Sequence, residues 1–256
     1  MINITGDPHG EISRFSLELM PEQVAWPSED KIIFAGDFGY VFLGEKSALS
    51  EKNNLDMLSQ KSFEILFVDG NHENFDRLYS EFEVVDFHGG KAHKIRENIY
   101  HLMRGYVFDL CGKKFFAFGG ASSHDIDDGI LDRKDFQSDR ELVDEYNRRT
   151  RRGEMLRINH ISWWKEEMPS QEEMDFGLKT LEEHGNKVDF IVSHCCPQEI
   201  ASIFSHGSYK PDQLTSYFNV VANTVDFSKW FFGHYHNNAQ VLSKFIMLYE
   251  QIVRVV

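Results

Sequence analysis

Five short polar clusters in this chain each follow an apolar run of the kind a buried strand presents. They are Thr5-Gly6-Asp7-Pro8-His9, Ala35-Gly36-Asp37, Asp69-Gly70-Asn71-His72-Glu73, Ser193-His194 and Gly233-His234-Tyr235-His236. Seven of these residues, Asp7, His9, Asp37, Asn71, His194, His234 and His236, supply carboxylates, an amide and imidazoles that can converge at one edge of a sheet. That donor set suits a pair of divalent transition metals. Two such ions about 3.5–4 Å apart can lower the pKa of a shared water and hold the oxygens of a phosphoryl group. A carboxylate can bridge the pair, while imidazoles and an amide oxygen fill each shell without excess charge. Gly6, Gly36, Gly70 and Gly233 each directly precede one of these seven residues, where a side chain would crowd a tight strand-to-loop turn.

The elements that must position these residues follow from hydrophobic periodicity. Residues 1–5, 31–35, 64–68, 188–192 and 229–232 read as buried-type strands. Residues 11–20 read as a helix with Ile12, Phe15 and Leu19 on one face, and helices are also expected over 46–60, 74–82 and 210–223. Residues 99–103, Tyr106–Leu110 and 115–118 read as antiparallel strands, with Cys111-Gly112-Lys113 as the last turn. Residues 239–242 and 245–249 close the chain as strands. The stretch 121–185 is charged and reads as mostly helical. Ser138 with Glu141, and Ser170 with Glu173, each form a capping-box pattern. The second of these helices carries Met174, Leu178 and Leu181 on one face and stops at Gly185. No linker or repeat interrupts the chain, so residues 1–256 are expected to form a single domain with a helical elaboration at about 121–185.

The ordered motifs D-x-H, G-D, G-N-H-E, an isolated His and G-H-x-H resemble those of the calcineurin-like metallophosphoesterases. The resemblance runs from residue 7 to 236. It extends to Phe118-Gly119-Gly120-Ala121-Ser122 and Ser162-Trp163-Trp164-Lys165-Glu166-Glu167, which are similar to a bacterial branch of unsettled substrate. It implies an α/β fold, a four-layer αββα sandwich of two mixed sheets flanked by helices. It implies a site at the strand ends between the sheets and a dinuclear hydrolase acting on phosphomonoesters or phosphodiesters through a metal-bridged hydroxide. The substrate is expected to be small or nucleotide-like. By this resemblance Asp7, His9, Asp37 and His236 would hold one ion, and Asp37, Asn71, His194 and His234 the other, with Asp37 bridging. Mn, Fe and Zn all accept the set. His72 would contact the phosphate and assist the leaving group, a contribution typically of about 10²–10⁴-fold. Rival readings are a single-strand nuclease, a Ser/Thr phosphoprotein phosphatase, and a catalytically silent binding module of the same fold.

The chain departs from the protein-phosphatase pattern, in which an Asp orients the catalytic His and an Arg grips phosphate shortly after the bridging Asp. Tyr40 and Val41 stand in those places, which argues against the usual phosphoprotein phosphatase. The candidate replacement clamp is Arg133, in the loop region that also holds His124, Asp125 and Asp128. A solvated loop competes evenly for Arg133 and is favoured for His124. Arg148, Arg149, Arg151 and Arg152 precede Gly153 at an expected helix end, where cations complement the helix dipole. That explains them better than a nucleotide patch does. Trp163 and Trp164 read as packing of the elaboration onto the sandwich, and Cys195-Cys196 as a buried pair beneath the site.

Composition narrows the partners. The 256 residues carry a net charge of −14, a field that opposes long polyanions and makes duplex nucleic acid an unlikely partner. A small phosphoester is not opposed, because two bound cations invert the sign locally. There is no apolar run of about 18 residues for a membrane span. The first expected ligand is already residue 7, so a cleaved leader would remove it. Three cysteines with no C-x-x-C spacing fit a reducing compartment. The expectation is a cytoplasmic protein. Nothing in the sequence fixes its oligomeric state.

Overall fold

A computed structural model of the chain describes residues 1–44 and 48–256. Its strands, in chain order, are β1 (Ile2–Thr5), β2 (Lys31–Phe34), β3 (Glu64–Phe67), β4 (Glu83–Phe87), β5 (Gly90–Arg96), β6 (Ile99–Leu102), β7 (Tyr106–Leu110), β8 (Lys113–Phe118), β9 (Ile130–Leu131), β10 (Arg157–Ile158), β11 (Phe190–Ser193), β12 (Lys229–Phe232), β13 (Ala239–Val241), β14 (Phe245–Met247) and β15 (Val253–Arg254). The α-helices are α1 (Leu49–Leu58), α2 (Phe75–Ser80), α3 (Asp139–Thr150), α4 (Gln171–Glu183), α5 (Gln198–Ser205) and α6 (Gln213–Thr224).

Two mixed sheets carry the fold. One runs β15-β1-β2-β3-β6-β5-β4, and the other β13-β14-β12-β11-β8-β7. In the first, β1, β2, β3 and β6 are parallel neighbours. In the second, β8, β11, β12 and β14 are parallel neighbours. Strand side chains alternate between faces, and the pattern divides the core into layers. Ile2, Ile4, Ile33, Leu66, Phe115, Ala117, Val192 and Phe231 meet between the sheets. Their alternates Ile32, Phe34, Ile65 and Phe67 face the layer that holds Leu55 and Leu58 of α1 and Phe75 and Leu78 of α2. On the far side, Phe116, Phe118, Ile191, Trp230 and Phe232 pack against Met174 and Leu181 of α4, Ile200 of α5 and Phe218 of α6. The result is the αββα sandwich.

Several local expectations need correction. Residues 11–20 form no α-helix but a 3-10 turn at Ile12–Phe15, and a second such turn follows at Pro21–Ala25. Glu11 supplies no side-chain cap, Pro21 disfavours helical geometry at Met20, and Leu19 is exposed rather than buried. The 46–60 helix is α1; Lys46, where it was expected to begin, lies outside the described residues. β6 and β7 are not paired with each other but belong to different sheets. The β4–β5 hairpin and α5 had no counterpart in the sequence reading. Most of β4 is not fully buried, so its apolar signal is weak, and α5 starts directly at Pro197 with no side-chain cap.

Residues between β8 and α4 hold a small core of their own, Leu131, Leu142, Leu156 and Ile158, around the parallel β9–β10 pair and α3. The Ser170 box is complete. At Ser138 it is half formed: Glu141 turns its carboxylate to the Gln137 amide instead.

Candidate metal centre

The C-terminal ends of β1, β2 and β3 in one sheet, and of β11 and β12 in the other, open at the same edge of the sandwich. Each is followed within a few residues by one of the polar clusters. This is where ligands collect in sheets with parallel strands. Asp7, His9, Asp37 and His236 bring one donor atom each to within 4.8 Å of one another. The Nε2 atoms of His9 and His236 stand 2.9 Å apart, and His236 Nε2 lies 3.5 Å from Asp7 Oδ2. A second group shares Asp37. His194 Nε2 is 3.3 Å from Asp37 Oδ1 and 3.2 Å from Asn71 Oδ1, and the His234 ring lies edge-on to His194 with centroids 4.9 Å apart.

The backbone pays a conformational cost to aim these groups. His9, Asp37, His234 and His236 all adopt positive φ, between 46° and 69°, a region costly for residues with a side chain and concentrated at functional sites. Two glycines allow the close approach. A Cβ on Gly233 would sit 1.9 Å from Asp7 Oδ1, and one on Gly36 would sit 2.0 Å from His194 Nδ1.

Burial and mutual charge set the protonation states of the cluster. Burial and the neighbouring Asp37 push Asp7 upward against the pull of His194. Burial alone would raise Asp37 too, but His194 outweighs it and holds Asp37 well below the usual carboxylate range. Burial opposes the charge on His194 as well, yet Asp37 and Asp7 carry it up to about 10. Burial drives His9 down to about 4 and lowers His234 and His236. His9, His234 and His236 are thus held neutral, the state metal ligation requires, whereas Asp7 and His194 are held protonated and a bound cation would displace those protons. His194 Nδ1 is 2.7 Å from the Ala35 carbonyl, to which it donates, so Nε2 is the atom turned to the site. Asp7 Oδ1 is buried with no hydrogen-bond partner, an acceptor whose cost a cation would relieve. These residues fit a divalent metal pair.

The Asp37 carboxylate also accepts from the His72 amide at 2.8 Å, which ties the two residues together. The His72 ring lies edge-on to His9, centroids 5.2 Å apart, and tilted on Phe42 at 5.7 Å. Tyr40 does not orient it: Tyr40 and Val41 are fully buried in the core, with Tyr40 packed on Phe38 and Phe15. Arg133 is not brought to the site. It is half exposed, ion-paired with Asp139 and donating to the Phe136 carbonyl at 2.8 Å. The expectation for His124 also changes: its ring stacks near His234, centroids 4.5 Å apart, and with Tyr209 and Tyr235 it lines a cavity of about 390 Å³ that reaches His234.

A model of the family described as calcineurin-like phosphoesterase matches residues 1–238. The chain belongs to the calcineurin-like phosphoesterases. Metal-dependent phosphoester hydrolysis with a dinuclear divalent centre is the chemistry of that family, and the Asp7, His9, Asp37 and His236 cluster gives this calcineurin-like chain its candidate metal site. No curated protein matches the chain. Among the described residues, no helix is long and apolar enough to cross a membrane.

The sequence reading missed the supports of this phosphoesterase site. Glu73 Oε1 accepts from the Phe38 amide at 2.7 Å, bracing the turn behind Asp37. Arg14 donates to the Asp7 carbonyl and to the Tyr249 carbonyl, and the Tyr249 ring stacks on His236 at 4.8 Å. Glu167 holds Ser123, whose Oγ accepts from Asn71 Nδ2 at 3.5 Å. Glu73 had a signal in the sequence, as the last residue of G-N-H-E, and Glu167 closes the Ser162–Glu167 stretch that extended the resemblance, though with no role attached. The rest depend on contacts between distant segments. Trp164 packs as expected, fully buried and bonded through Nε1 to Asp76. Burial raises the Cys195 and Cys196 thiols well above their ordinary range.

Proposed function

We propose that this chain is a dinuclear metal-dependent phosphoesterase that hydrolyses phosphomonoesters or phosphodiesters of a small or nucleotide-like alcohol. The observation that carries this reading is the convergence of Asp7, His9, Asp37 and His236 within 4.8 Å, contiguous with Asn71 and His194 through Asp37. Asp7, His9, Asp37 and His236 would hold one ion and Asp37, Asn71, His194 and His234 the other, manganese being the first choice to test among Mn, Fe and Zn. When bound, the ions would supply an activated water and neutralise charge on the phosphoryl oxygens.

The chain's own residues do the rest. Asp37 accepts from the His72 amide, so the imidazole is placed next to His9 at the rim of the cluster. From there His72 gives a proton to the departing alcohol oxygen. Ser123, His124, Tyr209 and Tyr235 line the cavity beside His234, which is of the size a small ligand requires and has aromatic faces for a flat leaving group. The buried Tyr40 and Val41 supply neither an imidazole orienter nor a phosphate clamp, which counts against the usual phosphoprotein phosphatase. A cytoplasmic setting and a single catalytic domain, with the 121–185 segment shaping access, belong to the same reading.

The test is a panel assay of the purified chain with Mn²⁺, covering monoesters, diesters, nucleotides, phosphopeptides and single-stranded DNA. Metal-dependent turnover of a small ester or nucleotide is expected. Two bound ions with no turnover on any substrate would point instead to a silent binding module. Preference for single strands would point to a nuclease.

A further inference from the structure

The His72 ring is held by no hydrogen bond among the described residues. Its one polar tie is the backbone amide, which donates to Asp37 at 2.8 Å. Tyr40, where an orienting group would stand, is buried in the core with Val41. What the imidazole meets is two rings. His9 lies edge-on to it with centroids 5.2 Å apart, and Phe42 tilts against it at 5.7 Å. Both spacings are those of favourable aromatic pairs. His9 belongs to the candidate metal cluster, so an ion would govern its ring. Phe42 has no such second task.

Phe42 is itself firmly fixed, although it is only half-buried. Its amide donates to Glu51 Oε1 at 2.9 Å, and the Leu43 amide donates to the same oxygen at 2.7 Å. Glu51 is buried. Arg77 Nη1 pairs with its other oxygen and donates to the Leu43 carbonyl, both at 2.7 Å. The Phe42 carbonyl accepts from Asn74 Nδ2 at 3.3 Å, and the Asn74 backbone amide donates to the Val41 carbonyl at 2.8 Å. Asn74 Oδ1 caps α2 by accepting from the Arg77 amide, so the nitrogen of that side chain is the atom left for Phe42. Asn74 follows His72 by two residues, which ties the Phe42 loop to the segment that carries the imidazole. The Phe42 ring also packs on Trp164 at 5.9 Å, a fully buried side chain bonded to Asp76. The phenyl ring is therefore a fixed wall, and the imidazole beside it is the group whose freedom the contact removes.

We propose that Phe42 is the positioning residue for His72, doing by ring packing what a hydrogen-bonding orienter would do, so that the imidazole stays at the rim of the cluster where the alcohol oxygen departs. The proposal rests on the reading of His72 as proton donor. Its size follows from rotamers. A freed histidine has three χ1 wells and about two for χ2, so losing the wall dilutes the productive orientation by at most ~6-fold. That is well short of the ~10²-fold expected when the imidazole itself is lost.

The test pairs kinetics with a measurement that needs no turnover. In the Mn²⁺-loaded chain, Phe42→Ala should lower kcat for a phenyl phosphate ester ~3–6-fold with KM nearly unchanged, and leave the p-nitrophenyl ester almost untouched. Phe42→Tyr, which keeps the ring, should restore the wild-type ratio of the two rates. Phe42→Ala in a His72→Ala background should add nothing. Should Phe42→Ala fail to fold, Phe42→Leu keeps the apolar bulk without the flat ring and carries the same expectation. The second measurement is side-chain carbon relaxation of His72 in the Zn²⁺-loaded chain. The imidazole order parameter should fall in Phe42→Ala and recover in Phe42→Tyr. Unchanged order overturns the proposal whatever the kinetics show. So does a rise in KM alone, which would make Phe42 a substrate contact, or equal slowing of both esters, or a full additional loss in the double variant. If order falls as expected but His72→Ala slows both esters alike, the packing stands and the proton-donor reading fails.

Discussion

The Glu167 carboxylate accepts two hydrogen bonds from Ser123, from the amide at 2.8 Å and from the hydroxyl at 2.6 Å. Because the hydroxyl proton is committed to Glu167, the Ser123 oxygen is free to accept from the Asn71 amide nitrogen. That fixes which way the Asn71 amide faces: Oδ1 turns to His194 and the cluster. Two segments 44 residues apart thus orient one ligand atom. They are the very stretches, around Gly119-Gly120 and Trp163-Trp164, that extended the resemblance in the sequence without an evident role.

Ser123→Ala should therefore weaken binding of the ion at Asn71 by about 10–100-fold, the usual effect of losing a support behind a ligand. The Asp7, His9 and His236 side should bind as before. Mn²⁺ titration calorimetry, resolving one weakened and one unchanged step, checks this. Equal weakening of both steps would mean the serine acts on the fold rather than on Asn71.

Glu167 also predicts a pH effect on stability. Burial raises it from the ordinary carboxylate value to about 7. Between roughly pH 4.5 and 7 the unfolded chain releases a proton that the native chain retains, so this residue's contribution to stability falls as pH rises through that window. At about 1.4 kcal/mol per pH unit the loss is at most roughly 3.5 kcal/mol. Glu167→Gln should flatten that part of the profile. Urea unfolding of both proteins at pH 5 and pH 8 measures it, and the difference between them cancels the other titrating groups. A stability difference that does not change between the two pH values would contradict the assignment.

Gly36→Ala should fold poorly and bind metal poorly. Gly36 has φ +98°, and an added Cβ would meet His194 Nδ1 at 2.0 Å. Overpacking of this kind typically costs about 1–3 kcal/mol. It would also displace the one imidazole that donates to the Ala35 carbonyl. Denaturant midpoint and metal content, measured together, should both fall. A variant with a wild-type midpoint and full metal would show that the turn has slack the structure does not reveal.

His72→Ala should keep metal content near two per chain while slowing esters with poor leaving groups. The expected loss is ~10²-fold, the low end for general acid catalysis, because no hydrogen bond orients the ring among the described residues. Activated aryl esters should slow much less. Loss of metal, or equal slowing of both ester types, would make His72 a ligand or a general phosphate contact.

The candidate metal cluster was legible because its residues lie at strand ends and carry short, local motifs. Their order along the chain survives whatever the intervening segments do. The sheets were legible for a related reason: Ile33, Leu66 and Phe231 sit in apolar runs that leave little choice but burial on both faces, and Ile2 and Ile4 alternate with polar residues on one strand. What failed was local or long-range. The 11–20 helix had the right apolar spacing but no cap and a proline at its exit. Charge density did not distinguish Arg133, which pairs locally with Asp139, from His124, which the fold carries to His234. The roles of Ser123, Glu167, Arg14 and Tyr249 exist only through contacts between segments dozens to hundreds of residues apart, and no local pattern encodes those.

A pair of metals sharing Asp37 is the central proposal, and the Asp37→Asn variant tests it most directly. It removes the shared charge while leaving the sheet core untouched. Metal content by elemental analysis, read beside turnover of the best substrate and a far-UV spectrum, should show a folded chain that has lost metal and activity together. A folded Asp37→Asn protein with two ions per chain and wild-type turnover would contradict the two-metal assignment.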